Sequence, residues 1–394
     1  MSKEKDIKEI FDTALQNHKK NNFKIAEQLY KKILATEPNH FESTVLLGTL
    51  SAQTKNFFLA KQLLEKAIKI NPNYAEAYYN LGLVLNELKD FKNAIGQYEK
   101  AIKINPNYLD AYNNLGNSYK ELGEFDKAIS FYEKVIVINP NYASAHNNLG
   151  VVFKKIEKYE KAIKCYNEAI KLMPDHIDAH YNLGLAYDEL GEDSKAITCY
   201  EKAIQINPDY ADAYNNLGNS HRDLGELEKA ATFYEKAIAR NPENLAYYYA
   251  LGQINKKIFI SELKDKVEKI IKNNKSTDRN MAFGNYLLAK YESEKKNYEK
   301  ELDYLIEGHS YYFKFKKEKF KRQTNYWFDI LPNINKSIEF NGSNENEYQP
   351  KPIFIVGVPR CGSTLVEKII ASGLNYIPIG EETSILDKLI KYEI

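Results

Sequence analysis

This sequence has few cysteines, almost no net charge and no long apolar run, and each of these features excludes a class of protein. Only three of the 394 residues are cysteine, too few for a disulfide scaffold, so we expect a reducing compartment, the cytoplasm. The formal net charge at pH 7 is +1, which argues against nucleic-acid binding. No apolar run is long enough to span a membrane, and the charged N-terminus does not predict a signal peptide.

Metal-ligand spacing is also absent. The seven histidines are scattered, so we predict no metal site. Cys165 and Cys199 lie 34 residues apart, and we interpret them as two copies of one helix-packing position, in preference to a metal pair or a disulfide.

What the sequence does have is a period of 34 residues. A Leu-Gly pair recurs in this period, from Leu47-Gly48 to Leu251-Gly252. Proline marks the same period at Pro38, Pro72, Pro106, Pro140, Pro174, Pro208 and Pro242. A strict period of this length indicates a helical solenoid, which mainly presents a surface.

Each period predicts a pair of helices. In the unit Leu109–Tyr142, apolar residues recur at helical spacing in two blocks. Gly123 stands between the blocks, where a helix ends in a residue with positive φ. Pro140 closes the second helix, and the small residues Gly116 and Ala128 let the two helices approach closely.

This unit resembles the tetratricopeptide repeat. Seven units run from about residue 7 to residue 244, the first with Ala14 in place of the glycine, and an eighth begins at Leu245 and decays after Gly252. The resemblance implies a mostly α-helical superhelix over 1–252 that holds a polypeptide in its concave groove. We predict a helical capping and connecting region over 253–340.

One polar position recurs with the same period, directly before the Leu-Gly pair: Asn80, Asn114, Asn148, Asn182 and Asn216. In similar arrays, notably those joined to protein-modifying glycosyltransferases, matching asparagines line the groove and hold the backbone of an extended polypeptide. A carboxamide suits this role because it both donates and accepts hydrogen bonds. The alternative is that each asparagine bonds locally within its own repeat.

The periodicity stops before the last part of the chain. Residues 311–322 are basic and aromatic, which favours an amphipathic helix with solvated lysines over a stacking surface for single-stranded nucleic acid or an aid to an anionic cofactor. Residues 341–351 begin with a polar run and predict a linker.

A short apolar run, a glycine loop and a helical pattern follow within 353–372. This order aims backbone N–H groups at an anion. Gly357 and Gly362 keep the spacing of the nucleotide-triphosphate loop, but Ser363 stands where that loop has lysine. An ordinary ATPase or GTPase is therefore not expected.

The loop resembles that of sulfotransferases that use 3′-phosphoadenosine 5′-phosphosulfate (PAPS), and the whole chain resembles bacterial tetratricopeptide-sulfotransferase proteins. The matching residues are Pro359, Arg360, Gly362, Ser363, Thr364 and Leu365, while Cys361 replaces the more usual serine. The resemblance implies that residues 360–364 hold PAPS and that Arg360 serves catalysis. Gly380-Glu-Glu-Thr383 resembles a segment of tyrosylprotein sulfotransferases, which implies that Glu382 is the general base.

These patterns predict that 352–394 is the start of an α/β, P-loop-like sulfotransferase domain. The 42 residues from Ile353 to Ile394 are too few for a doubly wound sheet, so we expect the chain to be truncated. The predicted function is PAPS-dependent sulfation of tyrosine in a polypeptide recruited by the array. The alternative is a tetratricopeptide adaptor without enzymatic activity. The acceptor and the oligomeric state stay open.

Overall fold

Residues 2–273 and 276–334 are described by a computed structural model, and every regular element in these two stretches is helical. The prediction of a mostly α-helical solenoid is confirmed for this part of the chain. The α/β segment predicted for 352–394 lies outside the described residues. The chain divides into two units with a boundary between Pro208 and Asp209.

The first unit is a series of antiparallel helix pairs. Each helix packs against the next in chain order, and from α3 to α11 the first helix of a pair also contacts the first helix of the next pair. Contacts thus run from repeat to repeat, as expected for a solenoid. The helices are α1 (Ser2–Lys19), α2 (Phe23–Thr36), α3 (Phe41–Gln53), α4 (Phe57–Ile70), α5 (Ala75–Glu87), α6 (Phe91–Ile104), α7 (Leu109–Glu121), α8 (Phe125–Ile138), α9 (Ala143–Lys155), α10 (Tyr159–Leu172), α11 (Ile177–Glu189) and α12 (Asp193–Ile206).

The second unit begins with one more regular pair and then departs from the period. Its helices are α13 (Ala211–Asp223), α14 (Leu227–Arg240), α15 (Leu245–Ile254), a 3₁₀ turn (Lys256–Ile258), α16 (Ser261–Ile271), α17 (Asp278–Glu294) and α18 (Tyr298–Ile334). The basic stretch 311–322 forms part of α18, so its predicted helical conformation is present.

The turn inside each of the seven helix pairs is made by one residue with φ between 60° and 80°. Gly123 is one of these residues, and its N–H donates to the Lys120 carbonyl over 3.1 Å. The residues at this place are Asn21, Lys55, Lys89, Gly123, Glu157, Gly191 and Gly225. A residue with a Cβ atom in this region costs about 1–2 kcal/mol, so four of the turns carry a small strain.

Helix spacing within a pair depends on a tyrosine ring that lies against a glycine. In five pairs a ring carbon lies 2.5–2.7 Å from the place where the glycine would carry a Cβ atom. These are Gly82 with Tyr98, Gly116 with Tyr132, Gly150 with Tyr166, Gly184 with Tyr200, and Gly218 with Tyr234. All five tyrosines are fully buried. The recurrent glycine is therefore required by a close approach of the two helices.

The buried tyrosine hydroxyls mostly find a partner on the first helix of their pair. Tyr132 donates to Asn117 Oδ1 at 2.7 Å, and Tyr98 accepts from Asn86 Nδ2 at 3.0 Å. Tyr166 differs, because its hydroxyl has no hydrogen-bond partner among the described residues.

Candidate functional site

The five recurrent asparagines all lie on the first helix of a repeat. Asn80, Asn114, Asn148 and Asn182 are on α5, α7, α9 and α11 of the first unit, and Asn216 is on α13 of the second unit. Each is half-buried. Their side chains are thus neither packed in the core nor fully solvated.

Hydrogen bonds tie these asparagines to the preceding repeat. Asn148 Nδ2 donates to Asn113 Oδ1 at 3.0 Å, and Asn182 Nδ2 donates to Asn147 Oδ1 at 3.2 Å. Both bonds join residues 35 positions apart, so they cross from one first helix to the next.

The same bridging occurs at the two earlier positions with different acceptors. Asn114 Nδ2 donates to the Tyr79 hydroxyl at 3.1 Å and to the Asp110 carbonyl at 3.0 Å. Asn80 Nδ2 donates to Thr49 Oγ1 at 3.3 Å. The structure therefore brings the four asparagines of the first unit into one row of polar contacts across α3, α5, α7, α9 and α11. Binding of a polypeptide by this row stays a prediction.

Tyrosines and a carboxylate lie beside the row. The rings of Tyr79 and Tyr108 are 4.8 Å apart, and the Tyr142 hydroxyl donates to the Asp110 carboxylate. Burial, together with the charge of Asp110, raises the pKa of Tyr79 to about 12. Its hydroxyl therefore stays protonated near neutral pH. The face offers donors, acceptors and half-buried rings in close succession.

In the second unit, Asn216 lies among two further asparagines. Asn215 Nδ2 and Asn219 Nδ2 donate to Asn216 Oδ1 at 3.3 Å and 3.5 Å. Tyr234 in turn donates to Asn219 Oδ1 at 2.9 Å. These side chains form a carboxamide cluster on α13.

Family models match the repeats directly. Models described as tetratricopeptide repeat or TPR repeat match residues 42–74, 60–89, 84–123, 109–142, 131–164, 155–191, 177–210 and 211–244. Together they run from 42 to 244 without a gap, slightly more than half of the chain. The chain belongs to the tetratricopeptide-repeat family.

Solved structures with similar repeats cover parts of the tetratricopeptide array. The crystal structure of MamA is 33% identical over 41% of this chain and 95% of that chain, with a TM-score of 0.38. YrrB, titled as a TPR protein with an unusual peptide-binding site, is 24% identical over 48% of this chain and 96% of that chain, with a TM-score of 0.38. The APC/C hetero-tetramer Cut9-Hcn1 is 16% identical over 61% of this chain and 48% of that chain, with a TM-score of 0.52. A search of curated proteins found no match.

The sequence analysis did not predict which residues accept hydrogen bonds from the recurrent asparagines. Asn113 and Asn147 directly precede the recurrent asparagine and take its hydrogen bond from the next repeat. The signal was present as an Asn-Asn doublet at 113–114, 147–148 and 215–216. A doublet that recurs in phase indicates that both members have a role at the contact between repeats.

The two cysteines of the array behave as packing residues. Cys199 is buried, and Cys165 packs against a core of buried residues between repeats. Burial raises the pKa of Cys165 to about 11 and that of Cys199 to about 12. Both thiols are therefore protonated at neutral pH and unsuited to nucleophilic chemistry.

The predicted donor-site residues Arg360, Cys361, Gly362, Ser363, Thr364 and Glu382 lie outside the described residues. PAPS binding by them stays a prediction. Within the part of the chain that the structure covers, no helix has the length and apolar character needed to cross a membrane.

Proposed function

We propose that the tetratricopeptide array acts as an adaptor that binds an extended polypeptide along the first helices of its repeats. The observation that supports this most is the row of half-buried carboxamides on α5, α7, α9 and α11. A carboxamide has two N–H donors and an oxygen with two lone pairs, so one bond between repeats leaves capacity for a peptide unit. Such contacts recognise the backbone and tolerate many side chains.

The row is also held in place before any ligand arrives. Asn148 and Asn182 each bond to the preceding repeat at 3.0–3.2 Å, which fixes the direction of their amide groups. A site whose side chains are already oriented loses less conformational entropy on binding than a site of mobile chains.

The test uses the full chain and a peptide selected against it from a random linear library. Changing both Asn114 and Asn148 to alanine should weaken binding about 30-fold, since each lost hydrogen bond contributes about 1 kcal/mol. Isothermal titration calorimetry gives the affinities. Asn167→Ala is the matched control, because Asn167 is exposed on α10, a second helix. Equal affinity for the double variant and the control would refute the adaptor proposal.

A second proposal concerns residues 352–394 and is supported by the sequence pattern alone. We propose that Arg360, Ser363 and Thr364 hold the 5′-phosphosulfate of PAPS, and that Glu382 takes the proton of an acceptor hydroxyl. PAPS would supply the sulfuryl group. The array would then deliver a polypeptide acceptor to this segment.

Binding of adenosine 3′,5′-bisphosphate, the product left after transfer, tests this second proposal without an acceptor. Titration calorimetry of the full chain should show binding that Arg360→Ala weakens, because the guanidinium fork pairs with phosphate oxygens. Arg222→Ala, a change on α13, is the control. If the full chain does not bind adenosine 3′,5′-bisphosphate, the proposed PAPS site is wrong. The adaptor proposal is not affected by that result.

A further inference from the structure

Asn215, on α13 of the second unit, holds the place in its repeat that Asn113 and Asn147 hold in theirs. In the first unit, the carboxamide oxygens of Asn113 and Asn147 accept a hydrogen bond from an asparagine 35 residues later. The residue 35 positions after Asn215 is Ala250, on α15. Its methyl group cannot donate, so the bond that Asn113 and Asn147 receive is missing at Asn215.

The missing bond leaves a buried acceptor. Asn215 is only 9% exposed, and its Oδ1 has no hydrogen-bond partner among the described residues. Its Nδ2 donates to Asn216 Oδ1 at 3.3 Å, which turns the oxygen away from Asn216. Buried carbonyl groups in native proteins nearly always have a partner, so an oxygen without one indicates a donor that is absent from the structure.

The place where that donor belongs is between α13 and α15, at Ala250. Helices α13 and α15 are in contact, and Ala250 is half-exposed. The five preceding repeats have the recurrent asparagine at the position of Ala250, and alanine lacks its carboxamide. A donor from outside the chain can therefore approach the Asn215 oxygen over Ala250 after a small rotation of the Asn215 side chain.

An aromatic cluster adjoins the same position. Tyr249 directly precedes Ala250, and its ring lies 5.3 Å from Phe283 and 5.7 Å from Tyr286. Tyr312 extends the cluster, with its ring 6.2 Å from Tyr286. These four rings are half-buried. They provide an apolar surface that begins one residue before Ala250 on α15, and α15 contacts the helix that carries the Asn215 acceptor, a combination that suits a peptide with a backbone N–H and a large side chain.

We propose that Asn215 accepts a backbone N–H of an extended polypeptide, and that an adjoining large apolar side chain of that polypeptide lies on the Tyr249, Phe283 and Tyr286 rings. The inference rests on the proposed adaptor function and assigns one anchor point of the bound polypeptide to α13 and α15. In an extended strand the rise is about 3.3 Å per residue, and each side chain points out of the plane in which the N–H groups lie, so one residue can serve both contacts. The partner is therefore a segment with an aromatic or large aliphatic residue at this point.

The first test places the recurrent asparagine at position 250. Ala250→Asn supplies the carboxamide that the period predicts, so it should pair with Asn215 and close the site. We expect the peptide selected against the wild-type chain to bind about fivefold more weakly, the effect of one lost hydrogen bond of about 1 kcal/mol. The thermal midpoint of the free chain should rise or stay unchanged, which excludes unfolding as the cause. Ala239→Asn is the control, because Ala239 is exposed on α14, a second helix.

The second test identifies the peptide atom. Asn215→Leu removes the acceptor and keeps most of the volume. Analogues of the selected peptide are methylated at one backbone nitrogen at a time and titrated against both chains. One analogue should bind about fivefold more weakly than its parent to the wild-type chain and equally well to Asn215→Leu.

The outcomes separate this anchor from the wider proposal. If Ala250→Asn and Asn215→Leu both bind the peptide as the wild-type chain does, while the Asn114 and Asn148 double variant binds weakly, the anchor is wrong and the adaptor function stands. If no library peptide is selected, or if none of these variants changes the affinity, both are wrong.

Discussion

The close contact between Gly116 and Tyr132 makes a sharp prediction about stability. A Cβ atom at Gly116 would lie 2.7 Å from Tyr132 Cε1 and 2.9 Å from its Cζ, whereas carbon atoms in contact are about 3.5–4.0 Å apart. Tyr132 is fully buried, and its hydroxyl is held by Asn117 at 2.7 Å. The ring must therefore move within a packed core when alanine replaces this glycine.

The size of the effect follows from two opposing terms. Overpacking of a core costs about 1–3 kcal/mol, and a strained Tyr132 hydrogen bond adds to that cost. Alanine returns about 1 kcal/mol through its higher helix propensity. We expect Gly116→Ala to lower the free energy of unfolding by about 1–2 kcal/mol.

Gly96 provides the matched control. It lies within α6, and no described atom outside its own helical turn lies within 4 Å of its Cβ position. Gly96→Ala should therefore raise the free energy of unfolding by up to about 1 kcal/mol. Urea denaturation followed by far-ultraviolet circular dichroism measures both changes. A Gly116→Ala chain that is as stable as the wild type, or more stable, would refute the packing role assigned to this glycine.

Three further predictions concern single side chains of the array. Burial lowers the pKa of Lys154 to about 8, so the unfolded chain binds more protons than the folded one between about pH 8 and pH 10, and stability should rise over that range. Lys154→Met should remove this rise from urea midpoints measured across the range, and an unchanged slope would contradict it. Glu157→Gly should raise the free energy of unfolding by about 1 kcal/mol in the same assay, because Glu157 has a φ of 61°; a destabilised variant would show that the turn is not strained. Tyr132→Phe should cost about 1 kcal/mol while Tyr166→Phe should cost nothing, since only the first hydroxyl has a partner among the described residues; equal losses would count against the hydrogen-bond assignment.

The helix pairs were predictable because their signals are local. Proline and glycine end the helices at fixed positions in each repeat, and the spacing of apolar residues indicates which face is buried. The helix pair over Leu109–Tyr142 can therefore be predicted from the sequence. The left-handed residue at Gly123 was predictable for the same reason. Lys55 and Glu157 adopt the same conformation without any preference for it, so the repeat imposes it and the residue type does not reveal it.

The partners of the asparagines could not be predicted in the same way. A bond between residues 35 positions apart depends on how successive repeats are rotated, which the period alone does not specify. The sequence suggested either a polypeptide ligand or a bond within the repeat. The observed acceptors at Asn113 and Asn147 belong instead to the preceding repeat. The unpaired oxygen of Asn215 could not be predicted from Asn215 alone. It depends on the residue 35 positions later, which is Ala250 where earlier repeats have asparagine.

The similar packing at successive joints has a consequence for how this protein can evolve. In the first unit, α4 meets α5, α6 meets α7 and α8 meets α9 through buried residues that share one place in the period, namely Ala67, Ala101 and Val135. An in-frame duplication or loss of 34 codons would therefore join two surfaces that already fit. Unequal crossing-over can lengthen or shorten the array by whole steps, each adding or removing one asparagine, with no new interface to select. Under the proposed adaptor function, copy number at the level of the gene would thus set the length of peptide that the array binds.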